Sequence, residues 1–190
     1  GREYRMEIVT DGGTAPRVLV EEDRLVVFLP PGSEAKAGAV LEKWFRSMAR
    51  LLVNQRLRII NADLKLTFNR VFIKGQKTRW GSCSRQGNLN FNWRLVMAPL
   101  PVLDYVVAHE LLHLLEPNHS KRFWTLVEGV CPDYRAHRAW LRKNGHRLTL
   151  PAFDFAGYLP EGSGNGLMGQ HGPPGCHQQD HKAAQAHRQH

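Results

Sequence analysis

The run His109-Glu110-Leu111-Leu112-His113 constrains the structure of this chain more than any other stretch. Two histidines four residues apart lie on one face of a helix, one turn apart, so both imidazoles can reach a single metal ion. Glu110 lies beside them, where its carboxylate can accept a proton from a metal-bound water. Zinc fits this set, because catalytic zinc sites combine three protein ligands with one position for water. The run therefore predicts an active-site helix and a zinc hydrolase, in particular a peptidase.

The third metal ligand is a choice between Glu116 and His119. Pro117 ends the helix at Glu116, because proline disfavours helical geometry in the residue before it and has no amide hydrogen to donate. The chain can then turn and return His119 toward the metal, and the preference of zinc for imidazole agrees with this. We therefore expect His109, His113 and His119 to bind the metal. Glu116 is the alternative ligand, or else is a surface acid or orients a ligand imidazole.

The charge of the chain is strongly positive, with a formal net charge of +9 from 26 Lys and Arg residues against 17 Asp and Glu residues. Residues 157–190 contain two basic and two acidic residues, so the excess positive charge lies in the first 156 residues. Such a surface favours acidic partners, although it also improves solubility. The expected partners are a peptide or protein substrate and, through the basic surface, nucleic acid.

Cysteine usage and hydropathy predict the compartment. Cys83, Cys131 and Cys176 are widely spaced and form no C-x-x-C pair, which is typical of reduced thiols in a cytoplasmic protein. No stretch reaches the ~18 uninterrupted apolar residues of a membrane span. The first residues carry charges of both signs and lack the apolar core of a signal peptide. We expect a cytoplasmic monomer with no membrane segment.

Periodicity and turn residues predict an α+β domain over residues 1–156. Segments rich in Val, Leu and Ile predict N-terminal antiparallel strands over residues 4–9, 17–22 and 24–29. Apolar residues at three- and four-residue steps predict a long helix over residues 34–55. Alternating residues predict further strands over 64–73, 78–84 and 88–93, the last two joined as a β-hairpin.

Three helices should follow the hairpin. Prolines are tolerated in a first turn, so Pro99 and Pro101 predict the start of the active-site helix. Ser120 is a good N-cap for a second helix, and Pro132 begins the last. Residues 157–190 are rich in Gly, Pro, Gln and His and predict a disordered tail, because they cannot bury enough apolar surface to offset their ordering entropy. The five histidines of this tail either bind metal loosely or reflect incidental composition.

Five segments between residues 78 and 141 carry a resemblance to a known family. They are Arg79-Trp80-Gly81-Ser82-Cys83-Ser84, Gly87 to Leu95, Val102 to His113, Asn118-His119-Ser120-Lys121-Arg122-Phe123-Trp124 and Pro132-Asp133-Tyr134. They resemble the YgjP-like family of zinc-dependent metallohydrolases, which is related to SprT-like proteases. The likeness covers roughly residues 15–150, loosely over the N-terminal strands, and leaves out the tail.

The resemblance implies a compact zincin-like α+β domain with zinc bound by His109, His113 and His119 and with Glu110 catalytic. In zincins a sheet edge pairs with an extended peptide substrate, and residues 79–84 are the candidate edge here. Packing within the hairpin is the other interpretation of Trp80 and Gly81 in this segment. Tyr134, His137 and Arg138 are candidates for stabilising the oxyanion, or are surface and packing residues.

Three other functions are compatible with the sequence. Some members of the resembling family carry the name UTP pyrophosphatase, and Lys74, Lys77 and Arg79 would be available to hold a triphosphate, although no Gly-rich phosphate loop is present. The basic domain would suit a DNA-associated SprT-like protease, whose binding to DNA should weaken steeply with salt. A non-catalytic zinc scaffold is disfavoured by Glu110, because a structural site needs no general base.

Overall fold

The computed structural model describes residues 4–150, so the predicted tail lies outside the described residues and the domain boundary stays a prediction. The described part is an α+β fold, as the sequence predicts. Its strands are β1 (Arg5–Thr10), β2 (Arg17–Val20), β3 (Arg24–Leu29), β4 (Val71–Lys74), β5 (Gly81–Cys83) and β6 (Leu89–Asn92). Its α-helices are α1 (Ala37–Leu64), α2 (Leu100–Leu112), α3 (Lys121–Val130) and α4 (Tyr134–Asn144).

The first sheet has the strand order β1-β3-β2. β2 and β3 form an antiparallel hairpin, as predicted, but β1 pairs in parallel with β3, from Arg5 opposite Arg24 to Thr10 opposite Leu29. The prediction that all three strands are antiparallel is therefore wrong for β1. Residues 11–16 connect β1 to β2, which are separated by two strand spacings of ~5 Å each because β3 lies between them. A loop of this length can cross the end of β3, so β1 pairs with the side of β3 opposite β2.

Helix α1 is longer than the sequence pattern predicts, because it continues to Leu64 instead of ending near residue 55. It ends where Lys65 adopts a left-handed conformation with φ of 53°. The Asn61 side chain stabilises this end, since its amide donates to the Leu66 carbonyl at 2.8 Å and accepts from the Leu66 amide at 2.8 Å. The predicted strand over residues 64–73 is wrong for its first seven residues, since only Val71 onward belongs to β4.

The second sheet has the order β4-β6-β5, with β4 parallel and β5 antiparallel to β6. The predicted hairpin is present as β5 and β6, and Gly87 allows its turn with a φ of 74°, which L side chains rarely adopt. Strand β5 is an edge strand, and no described strand pairs with its outer side. Buried Asn92 fixes the segment that leads into β5, because its side-chain amide donates to the Gln76 and Arg79 carbonyls at 2.7 and 3.1 Å.

Helix α2 lies at the centre of the main hydrophobic core, and nine of its thirteen residues are buried. Pro99 precedes its first turn and Pro101 lies within it, as predicted. Arg56 on α1 holds α2 in place through two bonds to the Asp104 carboxylate, at 2.6 and 2.9 Å. Such a bidentate pair also fixes the orientation of the two helices. Within residues 4–150 no helix is long and apolar enough to cross a membrane.

Candidate metal centre and active-site cleft

The three histidines singled out from the sequence converge at the end of α2. Their Nε2 atoms point toward one another: those of His113 and His119 lie 3.2 and 2.9 Å from that of His109. Two nitrogens bound at 2.0–2.1 Å to one tetrahedral ion are separated by about 3.3 Å. The three imidazoles are therefore spaced as ligands of one ion. Their assignment as ligands stays a prediction.

The position of His113 depends on the way the helix ends. Helical turns continue to Leu115, and the next residues, Glu116 and Pro117, leave the helix. The Glu116 carbonyl therefore has no helical donor, and it accepts a hydrogen bond from His113 Nδ1 at 3.0 Å. A carbonyl can only accept, so the proton of His113 lies on Nδ1 and its Nε2 carries a lone pair. The backbone of Glu116 thus orients the imidazole of His113, one of the three predicted ligands.

Two consecutive aromatic residues of α3 hold the other sides of the imidazoles. Phe123 stacks on His113 with ring centroids 4.4 Å apart, and Trp124 stacks on His119 at 5.6 Å. Ser120 caps this helix as predicted, since its hydroxyl accepts from the Phe123 amide at 3.2 Å. The cap thus places both rings against the site at the first turn of α3.

The chemistry of the donor set fits a divalent cation. Burial, together with the positive charge of His113, His119 and Arg138, lowers the pKa of His109 to about 3. Burial also lowers the pKa of His119. These imidazoles are therefore neutral near pH 7, which is the form that binds a metal. In the tautomers that bind a metal, the Nε2 lone pairs face one another at about 3 Å, and a cation between them removes their repulsion.

Glu110 points from α2 toward β5 and is 5% exposed, the one buried charged residue in the described range. Its carboxylate packs against the Cα of Gly81, and a Cβ at that position would lie 2.5 Å from Oε1. Burial raises the pKa of Glu110 to about 8, and the Arg79 guanidinium opposes this rise. Gly81 therefore gives the Glu110 carboxylate its space, which explains a glycine at the first position of β5.

The metal centre opens into a cleft of about 840 Å³. One wall is β5 with the segments on either side of it, and the opposite wall is α4. The backbone amide of Asn92 donates to the Trp80 carbonyl, and the backbone amide of Ser84 donates to the Asn88 carbonyl. In an antiparallel pair, successive residues of a strand direct their backbone groups alternately toward the partner strand and away from it. Gly81 and Cys83 therefore direct their backbone N–H and C=O groups away from β6, along the open edge in the cleft.

The structure sorts the remaining candidates from the sequence. Among Tyr134, His137 and Arg138, the described cleft is lined by Arg138 alone, while buried Tyr134 stacks on Trp124 at 5.2 Å. The Glu116 carboxylate does not join the histidine cluster. The sequence allows two interpretations of Trp80, as part of the substrate-binding edge or as a packing residue of the hairpin. Its ring also packs against Gly145 at the end of α4, where a Cβ would lie 2.6 Å from the ring.

Sequence reasoning missed three residues that line the cleft, Tyr105, Arg85 and Arg142. Tyr105 lies four residues before His109 and so faces the same side of α2, which was a readable signal. Its phenol is neutral, since burial raises the pKa of Tyr105 to about 12. No local pattern marks Arg85 or Arg142, because only the tertiary fold brings the hairpin and α4 together.

Comparison with known proteins identifies the family. The YgjP-like metallopeptidase domain matches residues 1–144. This chain belongs to the YgjP-like family. It is therefore a metallohydrolase of a metallopeptidase family, whose site takes a divalent metal ion, and this confirms the family and the enzyme class predicted from the sequence. None of the curated proteins matches the sequence.

Two solved structures are similar to this YgjP-like chain. One is the metallopeptidase zymogen of Pyrococcus abyssi abylysin, with 26% identity, a TM-score of 0.43, and coverage of 50% of this chain and 93% of that one. The other is the metallopeptidase zymogen of Methanocaldococcus jannaschii jannalysin, with 21% identity, a TM-score of 0.36, and coverage of 53% of this chain and 97% of that one.

Proposed function

We propose that this chain is a zinc-dependent peptidase in which His109, His113 and His119 bind the metal and Glu110 is the general base. The observation that supports this most is the convergence of three Nε2 atoms at the end of the helix that also carries Glu110. All four side chains line one cleft beside an open strand edge. An all-imidazole set with no thiolate favours zinc among the divalent ions of catalytic sites.

The chemical step needs a base that later acts as an acid. A zinc ion held by the three imidazoles would polarise the substrate carbonyl and acidify a water. The Glu110 carboxylate would take a proton from the water while the water oxygen bonds to the carbonyl carbon of the substrate. When the C–N bond breaks, Glu110 would return that proton to the leaving amine. Gly81 keeps the carboxylate in position for both transfers, because no side chain occupies the space beneath it.

The substrate backbone would pair with β5. The outward N–H and C=O groups of Gly81 and Cys83 can bond an extended peptide as an additional strand, which recognises main chain without fixing sequence. Tyr105 is placed to donate to the oxyanion, because it lines the cleft one turn before His109 and its hydroxyl stays protonated. These two features favour a peptide carbonyl as the group attacked.

The experiment combines metal content with turnover on an unfolded protein such as casein. The wild type should hold one zinc per chain and cleave the substrate. Glu110→Gln should keep the zinc and lose about a hundredfold to ten-thousandfold in kcat, the usual contribution of a general base. His119→Ala should lose zinc affinity, and Glu116→Gln, the matched control, should keep both zinc and cleavage.

Two outcomes would overturn parts of this proposal. Full cleavage by zinc-loaded Glu110→Gln would exclude the general-base role. Zinc retained in His119→Ala and lost in Glu116→Gln would assign the third ligand to Glu116. No cleavage by the zinc-loaded wild type of casein or of a proteome-derived peptide library would exclude the peptidase function itself.

A further inference from the structure

The walls of the cleft carry four arginines. Arg79 and Arg85 lie just before and just after β5, and Arg138 and Arg142 lie one turn apart on α4. All four side chains are exposed to solvent. The acidic counterpart within the described lining is one residue, Glu110, which is buried and belongs to the catalytic set.

None of these four guanidinium groups forms an ion pair with a carboxylate in residues 4–150. Arg138 lies over the ring of Trp124 at 5.0 Å, which holds its planar group at the cleft. Arg135, on the same helix but outside the cleft, binds Glu128 at 3.2 Å. The arginines of the cleft are thus left with donors for a ligand, whereas Arg135 on the outer side of α4 is paired within the protein.

The two pairs of arginines face an extended peptide from both sides. A peptide paired along β5 would run past Arg79 at one end of the strand and Arg85 at the other. Its side chains would also meet the α4 wall, where Arg138 and Arg142 lie on one face because they are four residues apart. Guanidinium groups bind carboxylates through paired charge-assisted hydrogen bonds, which are stronger and more directional than neutral ones.

We infer that the cleft selects acidic peptide segments, with Arg79, Arg85, Arg138 and Arg142 as the residues that determine this specificity. The inference rests on the proposed peptidase function for its reaction but not for its binding. Acidic residues near the scissile bond should therefore raise kcat/KM, and basic residues there should lower it. Because the four arginines are exposed, the preference should weaken with ionic strength.

The first test measures binding without cleavage. Fluorescence anisotropy compares a labelled decapeptide with glutamate at alternate positions and its glutamine counterpart, each binding to the Glu110→Gln protein. The acidic peptide should bind roughly tenfold more tightly at low salt. Arg138→Gln/Arg142→Gln and Arg79→Gln/Arg85→Gln, each added to Glu110→Gln, should remove most of this difference. Arg135→Gln is the matched control on α4 and should leave it intact.

The second test profiles cleavage sites with a proteome-derived peptide library and the zinc-loaded enzyme. Acidic residues should be enriched around the sites cut by the wild type and by Arg135→Gln. The enrichment of acidic residues over neutral ones should fall in both double variants, whatever their total rate of cleavage. Because the substituted side chains lie on the surface, unchanged thermal unfolding should accompany each substitution.

The outcomes separate the specificity from the proposed function. Cleavage without acidic enrichment, together with equal binding of the two decapeptides, would overturn the inference and leave the peptidase in place. Arginine-dependent binding of the acidic decapeptide without any cleavage would keep the specificity and exclude the peptidase. Release of pyrophosphate from UTP, abolished by Glu110→Gln and accompanied by no peptide cleavage or acidic-peptide preference, would overturn both and assign the arginines to a triphosphate.

Discussion

The two sheets of this molecule have the same topology and opposite roles. In each, the second and third strands along the chain form an antiparallel hairpin, and the first strand pairs in parallel with the third. Both sheets pack against α1, the first near its start around Leu41 and the second further along near Val53 and Leu57. The order and direction of the strands therefore do not create the site.

The difference lies in what surrounds each hairpin. On the first sheet both arginines of the hairpin are neutralised, since Arg17 binds Asp11 at 2.7 Å and Arg24 binds Glu21 at 2.6 Å. On the second sheet Arg79 and Arg85 have no such partners among the described residues, and α2 places a buried carboxylate under β5. The two sheets thus differ in the helix packed on them and in the charges left unpaired beside the hairpin, and the proposed function depends on both.

Truncating a core residue on the central strand of each sheet should have the largest effect on the free energy of unfolding and should test whether the two sheets differ in function. Phe91→Ala on β6 should lower the free energy of unfolding by about 3–5 kcal/mol, because a fully buried aromatic ring leaves a cavity. Val27→Ala on β3 removes a smaller side chain, and we expect a loss of about 1–3 kcal/mol. Urea unfolding measures both. Cleavage should fall in Phe91→Ala and persist in Val27→Ala, and equal loss of cleavage in both would show that the sheets are not functionally separate.

Among residues 4–150 a buried carboxylate lies beneath the second sheet and none lies beneath the first, and this predicts a pH effect. The folded pKa of Glu110 is about 8 and its ordinary value is 4.5, so folding favours the protonated form. This favourable contribution is complete below about pH 4.5 and is lost as pH rises toward 8. In chelator-treated protein, Glu110→Gln should therefore gain stability over wild type between pH 5 and pH 9, by a few kcal/mol. A constant difference in urea midpoint across that range would contradict the burial effect.

Adding one methyl group to a glycine beside each sheet tests the difference between the sheets at a single position. Gly81→Ala should displace the Glu110 carboxylate and reduce kcat by about tenfold to a hundredfold, while the zinc content stays at one per chain. Gly12, in the loop of the first sheet, has open space where a Cβ would lie, so Gly12→Ala is the matched control. Steady-state cleavage with metal analysis measures both. Unchanged kcat in Gly81→Ala would mean that Glu110 is not held by this contact.

The ion pairs of the first sheet should have the smallest effect. The side chain of Arg24 is about half exposed, and its two carboxylate partners are similarly exposed. Exposed pairs of this kind contribute about 0–1 kcal/mol and are screened by salt. Arg24→Gln should therefore lower the unfolding free energy by less than about 1 kcal/mol and leave acidic-peptide binding unchanged. A clear drop in that binding would assign the first sheet a part in recognition.

Features set by local geometry could be predicted from the sequence. The spacing of His109 and His113, the proline at position 117 and the cap at Ser120 each act within a few residues. The structure has the predicted cap at Ser120, while α2 ends at Leu112 and turns continue to Leu115, just short of the predicted end at Glu116. The alternation of Leu64, Leu66 and Phe68 correctly marked residues that pack on the core. It did not mark a strand, because a strand also needs a neighbour to pair with and this segment has none in the described sheets.

Features set by distant contacts could not be predicted in this way. The extension of α1 depends on Asn61 binding Leu66, one solution among several for ending a helix. The parallel pairing of β1 depends on a loop that crosses the sheet. Arg85 and Arg142 come from segments nearly sixty residues apart and face the same cleft only after folding.

The three histidines lie within eleven consecutive residues, whereas the strand edge opposite them begins almost thirty residues earlier. Closing so short a loop costs little chain entropy, so the metal-binding half can assemble from one helix end and its following turn. The substrate-binding half needs the whole second sheet in place. Bound metal is consequently a reporter of local order alone. A variant that carries its full complement of zinc can still have lost the surface on which a peptide must lie.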